Sequence, residues 1–151
     1  MRIATRAWPA GWGPAGVAML AMLLVGGPAQ AQQELVGAWV GQGTDPMSGA
    51  TMQVEYSLMP DGTFQKSFAL QMGYASGYDW IAGVWFTEGP WLRFEVRDHY
   101  STHQGSRGPL PAGELWAWRL EGPGTLVLTH ALCVQQGLTR PDCVLTLQRA
   151  R

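Results

Sequence analysis

Apolar and polar side chains alternate one by one along "TMQVEYSL". Met52, Val54, Tyr56 and Leu58 fall on one face, and Gln53, Glu55 and Ser57 on the other. "WLRFEVR" repeats the pattern, with Leu92, Phe94 and Val96 set against Arg93, Glu95 and Arg97. A period of two suits a strand with one face in a core and the other in water, and no helix can sort such a pattern. Half-buried strands of this kind pair antiparallel. Helical periodicity is hard to find beyond residue 31, while the β-branched and aromatic residues that pleated sheets favour are abundant. The fold class this predicts is all-β.

Eight strands are expected, at roughly 35–42, 50–59, 63–72, 79–87, 91–98, 114–121, 125–132 and 143–150, each end uncertain by about two to four residues. The connections between them alternate in length. "MPDGT", "EGP" and "EGPG" are tight turns, whereas "GTDPMSG", "GYASGYD", "HYSTHQGSRGPLPAG" and "VQQGLTRPD" are longer. In "MPDGT", Pro60 presets its φ, Asp61 bonds locally and Gly62 tolerates positive φ. Successive connections of a meander lie at opposite ends, so the long loops gather at a mouth and the tight turns at a base. Eight strands in this order predict an up-and-down antiparallel β-barrel whose interior is filled or holds one small ligand. Closure also removes the exposed edges that invite aggregation.

Residues 1–31 read as a signal peptide. Arg2 and Arg6 precede the apolar run Ala15–Val25, "GGP" breaks that run, and "AQA" supplies a cleavage site before Gln32. The run falls short of the roughly 20 residues that span a bilayer. The barrel domain is then 32–151. Without Arg2 and Arg6, eight basic residues face eleven acidic ones, and the net charge moves from −1 to −3. Lys66 is the sole lysine. No basic footprint for nucleic acid is present, and no segment for stable membrane insertion remains after cleavage. A periplasmic or secreted location follows. In such a compartment an even cysteine count predicts a disulfide, Cys133–Cys143. His130 with these two cysteines falls short of a zinc set, and no other metal site is expected.

Trp39 lies on the first strand, running from base to mouth, and Arg149 ends the last strand beside its start. An arginine over an indole is a favourable cation–π pair. This arrangement resembles the lipocalins and their calycin relatives, whose N-terminal Gly-x-Trp, matched here by Gly37-Ala38-Trp39, packs under an arginine from the end of the barrel sheet. The resemblance implies a small bacterial lipocalin-like (calycin-type) barrel with a mouth that receives a small hydrophobic ligand. "EGPG" stands where those families carry Thr-Asp-Tyr.

Several side chains are candidates for lining that mouth. Phe68, Phe94, Trp116 and Trp118 face inward by alternation, either around a calyx or as barrel filling. Tyr74 and Tyr78, in "GYASGY", suit recognition on a mouth loop. His99 and His103 share "DHYSTH", which reads as the start of a solvated loop and sits in a connection long enough to be functional. Strict alternation aims Lys66 inward, where an unpaired ammonium is costly. A bulge beside the "PDG" turn that re-aims it outward is the commoner solution, and an anionic partner is the other. No catalytic or cofactor-binding motif occurs. The expected function is non-enzymatic binding of a small hydrophobic or amphipathic molecule, with no cofactor. The alternative is a periplasmic protein-interaction or inhibitor module with a solid core.

Overall fold

The structure, a computed structural model, describes residues 28–44, 49–102, 105 and 108–151. Of the expected leader, residues 1–27 lie outside the described residues, as does His103.

Eight antiparallel strands close into an up-and-down barrel: β1 (Gly37–Thr44), β2 (Thr51–Leu58), β3 (Thr63–Met72), β4 (Ala75–Glu88), β5 (Trp91–Ser101), β6 (Glu114–Leu120), β7 (Thr125–His130) and β8 (Val144–Arg149). A helix α1 (Pro28–Leu35) precedes the barrel, and a short helix α2 (Ala131–Gln136) followed by a 3-10 turn (Pro141–Cys143) links β7 to β8. The closing seam is short, with Trp39 opposite Arg149 and Val40 opposite Gln148.

Three elements depart from the sequence reading. "GYASGYD" is not a long loop. β4 begins at Ala75, opposite Met72, and leaves a two-residue tip, Gly73-Tyr74. Small residues there mimic a loop in composition, but β3 offers them a ladder to complete. Second, β5 runs on through His99 to Ser101, so His99 is a strand residue. The register slips between Ala82 and Gly83: Ala82 faces Asp98, Gly83 faces Val96, and Arg97 is the extra residue of a bulge. That bulge reverses the parity of β5, so the inward set passes from Leu92, Phe94 and Val96 to His99. Gly83 makes room for it, since a Cβ there would lie 1.9 Å from the Glu95 carbonyl oxygen. Third, Cys133 lies in α2 and not at a strand end. His130 Nδ1 caps that helix by accepting from the Leu132 N–H at 3.3 Å.

The lower half of the barrel is solid. Leu35, Trp39, Tyr56, Leu58, Phe64, Trp85, Leu92, Phe94, Leu126, Leu128 and Leu147 form one buried cluster. The Phe94 ring meets Phe64 edge-on at 4.8 Å and 63°, and Tyr56 at 5.3 Å. Each such ring buries on the order of 200 Å². The "PDG" turn closes as its residues dictate, with Asp61 Oδ1 accepting from Thr63 N–H at 2.9 Å and from the Thr63 hydroxyl at 2.6 Å. Those two bonds hold the Asp61 carboxyl below its usual range.

The base is sealed where β1 meets β8. Arg149 places its guanidinium 4.2 Å from the Trp39 ring centroid. It donates to the carbonyls of Glu34 (2.7 Å), Val36 (2.8 Å) and Pro123 (3.1 Å). Trp39 Nε1 in turn donates to Leu35 O at 2.8 Å. Gly37 is required beneath this clamp: its φ is 137°, and a Cβ would sit 2.7 Å from Arg149 Nη1. Cys133 and Cys143 are joined in a disulfide, with Cα atoms 5.9 Å apart, which pins α2 to the 3-10 turn at the mouth.

Candidate functional site

Above the aromatic plug the barrel is open. Lys66 sits at the transition. No register shift interrupts its pairing with Tyr56 on β2 or Ile81 on β4, so the bulge expected to re-aim it is absent and the ammonium points inward. It is held there by a carboxylate, Glu114, the first residue of β6. Lys66 Nζ donates to Glu114 Oε1, while Tyr56 OH and Trp116 Nε1 each donate to Oε2 at 3.0 Å. The two charged side chains are only 16% and 21% exposed. Lys66 Nζ also lies 5.0 Å from the centroid of the Tyr56 ring. Burial, foremost, and then the charge and hydrogen bond of Glu114 push the Tyr56 phenol well above its ordinary value. It therefore stays protonated and donates to Glu114.

This network floors two chambers that share Lys66 and Phe68. The larger, about 810 Å³, is walled mainly by apolar groups, including Gly41, Met52, Val54, Phe68, Trp116, Val144 and Leu145. The smaller, about 370 Å³, is bounded by Lys66, Phe68, Asp79, Ile81, His99, Tyr100, Ser101 and Glu114, and by Pro109 and Pro111 from the loop before β6. Prolines suit that wall, because they bring no N–H that would need a partner. Both volumes fall in the range of small-molecule sites, roughly 300–1,000 Å³. A third trough, about 660 Å³, lies across the mouth end of β1–β4 among Gln42, Gln53, Gln71 and Tyr78. Its polar glutamine wall suits water better than an apolar ligand.

The candidate residues divide between chamber wall and barrel filling. Phe68 and Trp116 line the larger chamber, and Phe68 and His99 the smaller. His99 is 8% exposed, so it belongs to the interior and not to a solvated loop. Phe94 and Trp118 line neither chamber. Phe94 is buried in the plug, and Trp118, opposite Leu128, packs against the core with its Nε1 buried and without a hydrogen-bond partner. Both fill the barrel. Tyr74 projects from the tip of the β3–β4 hairpin and is fully exposed. Tyr78 lies on the outer face of β4 and borders the polar trough. Its backbone exchanges bonds with Thr102, giving its N–H to Oγ1 at 3.1 Å and accepting Thr102 N–H at 2.9 Å.

The residue missed by sequence reasoning is Glu114. Its signal was its parity: it alternates with the inward Trp116 and Trp118, so it faces the same interior as Lys66. No protein-family model matches the chain, and no curated protein is significantly similar to it.

Proposed function

We propose that this protein is an exported, lipocalin-like barrel of the calycin type that binds a small hydrophobic or amphipathic molecule non-covalently and catalyses no reaction. The observation that carries this reading is the division of the barrel into a packed lower half and an open upper half. Side chains large enough to fill the interior are concentrated below Lys66, and apolar walls line the space above it. The Gly37-Trp39-Arg149 clamp is the arrangement that the calycin resemblance implies. The disulfide supports passage through an oxidising compartment, periplasmic or secreted, after removal of the leader. Cleavage before Gln32 is compatible with a sealed base, because the carbonyls that meet Trp39 and Arg149 belong to Glu34, Leu35 and Val36.

Trp116 makes the test direct, since it forms part of the chamber wall. Intrinsic fluorescence should change saturably as small apolar and amphipathic compounds are titrated in. Native mass spectrometry of the freshly purified protein should show a non-covalent adduct. A flat response across a broad panel, with no adduct, would reject the reading. It would favour a second one, a protein-interaction or inhibitor module. That reading draws support from exposed apolar residues near the disulfide: Leu132 (57%), Val134 (45%) and Val144 (42%).

A further inference from the structure

His99 is the buried polar residue of the described interior, and its Nε2 has no hydrogen-bond partner there. A buried nitrogen left in this state is costly, and a bound ligand is one thing that relieves it. Its position is specific. Along one interior row Tyr56 faces Lys66, Lys66 faces Ile81, and Ile81 faces His99. His99 and Lys66 therefore share one ladder row, two strands apart, and both border the smaller chamber.

The hydrogen-bonding capacity left in that chamber is mostly of one kind. Glu114 already accepts from Lys66, Tyr56 and Trp116. An ammonium has three N–H groups, and Glu114 engages one of those on Lys66. Lys66 thus retains donors, and His99 Nε2, buried without a partner, adds one in the tautomer that carries its proton there. Asp79 also borders the chamber, but it is exposed and stands at the lip. The Lys66 ammonium is thus short of acceptors.

We propose that the smaller chamber is the head-group subsite for an amphipathic monocarboxylic acid, a refinement that rests on the binding reading above. One carboxylate oxygen accepts from Lys66 Nζ and the other from His99 Nε2–H. The apolar chain passes Phe68, which borders both chambers, and lies in the larger one against Met52, Val54 and Leu145. A carboxylate fits better than its rivals. An alcohol brings a proton for which Glu114 has little room and fills only one donor well. A phosphate brings a second negative charge beside Glu114 and Asp79, with Lys66 already shared.

The test compares decanoate with decanol on the delipidated, disulfide-intact protein by titration calorimetry, with ¹⁵N spectra of the histidine imidazoles recorded in parallel. Decanoate should bind at least about tenfold more tightly, the discrimination expected from charge-assisted bonds. The His99 resonance should move on saturation with decanoate, and His99→Phe should shrink the preference to the share that Lys66 carries. Equal binding of acid and alcohol would overturn the carboxylate subsite and leave the binding barrel standing. Failure of decanoate to bind, with or without decanol, would overturn the carboxylate subsite, while the binding reading stands or falls on the broad panel and the native adduct. If His99→Phe does not fold, the wild-type imidazole decides: an unmoved His99 signal at saturating decanoate overturns the proposal.

Discussion

Lys66 and Glu114, 48 residues apart in the chain, form an ion pair inside the barrel, on top of its aromatic plug. The pair marks the level at which filling ends and open space begins. A buried pair is weak evidence for stability in itself, but removing one partner strands the other. Lys66→Met is expected to destabilise the fold by about 2–3 kcal/mol, below the range for fully buried pairs because both side chains keep some exposure. Lys66→Met/Glu114→Gln should recover much of that loss. Urea denaturation of the three proteins provides the measurement, and a double variant no more stable than the single one would contradict it.

The Tyr56 phenol supplies a pH dependence. Its folded-state value lies above the unfolded value of about 10, so its contribution to stability is complete below pH 10. As pH rises further the unfolded chain ionises first, and stability falls. In an ultraviolet titration one of the four tyrosines should ionise late, together with unfolding. Tyr56→Phe should remove that late step and cost about 1–2 kcal/mol at neutral pH through the lost bond to Glu114.

Arg149 binds three backbone carbonyls and covers the Trp39 ring. Arg149→Ala is expected to cost about 2–4 kcal/mol, since the carbonyls it leaves lose charged donors. Arg149→Lys should recover only part of this, because a point charge cannot reproduce the guanidinium fork. Guanidinium denaturation followed by fluorescence reads both variants, and a neutral Arg149→Ala would mean that water replaces the clamp.

The Cys133–Cys143 bond closes a short loop, with the two cysteines ten positions apart. On the chain-entropy argument it contributes roughly 2.5–3 kcal/mol. The double serine variant should melt at a lower temperature by calorimetry. Iodoacetamide added to the unreduced, denatured protein should find no free thiol.

The strands were legible in the sequence because one face of each is wet. β2 and β3 keep the parity their side chains announce, including Lys66, and the barrel order stands although the β3–β4 connection is a two-residue tip and not a long loop. The upper site was less legible. The bulge at Arg97 arises because Gly83 lets the neighbouring backbone approach, a tertiary event with no local signature on β5, and it alone turns His99 inward. Phe94 and Trp116 look alike along the chain. Only their neighbours in the finished barrel make one filling and the other wall.

The clamp at the base also orders events in time. Arg149 reaches back 113 residues to the carbonyl of Val36, and the seam it completes holds only two opposed pairs. A chain made amino end first has its opening strand waiting, edge exposed, until β8 has been made. Such non-local closure is slow by nature. During that interval the β1 edge is open to any strand that will pair with it. A chaperone that shields nascent β edges would therefore raise the yield of this protein, and loss of Arg149 would lengthen the interval in which that edge stays exposed.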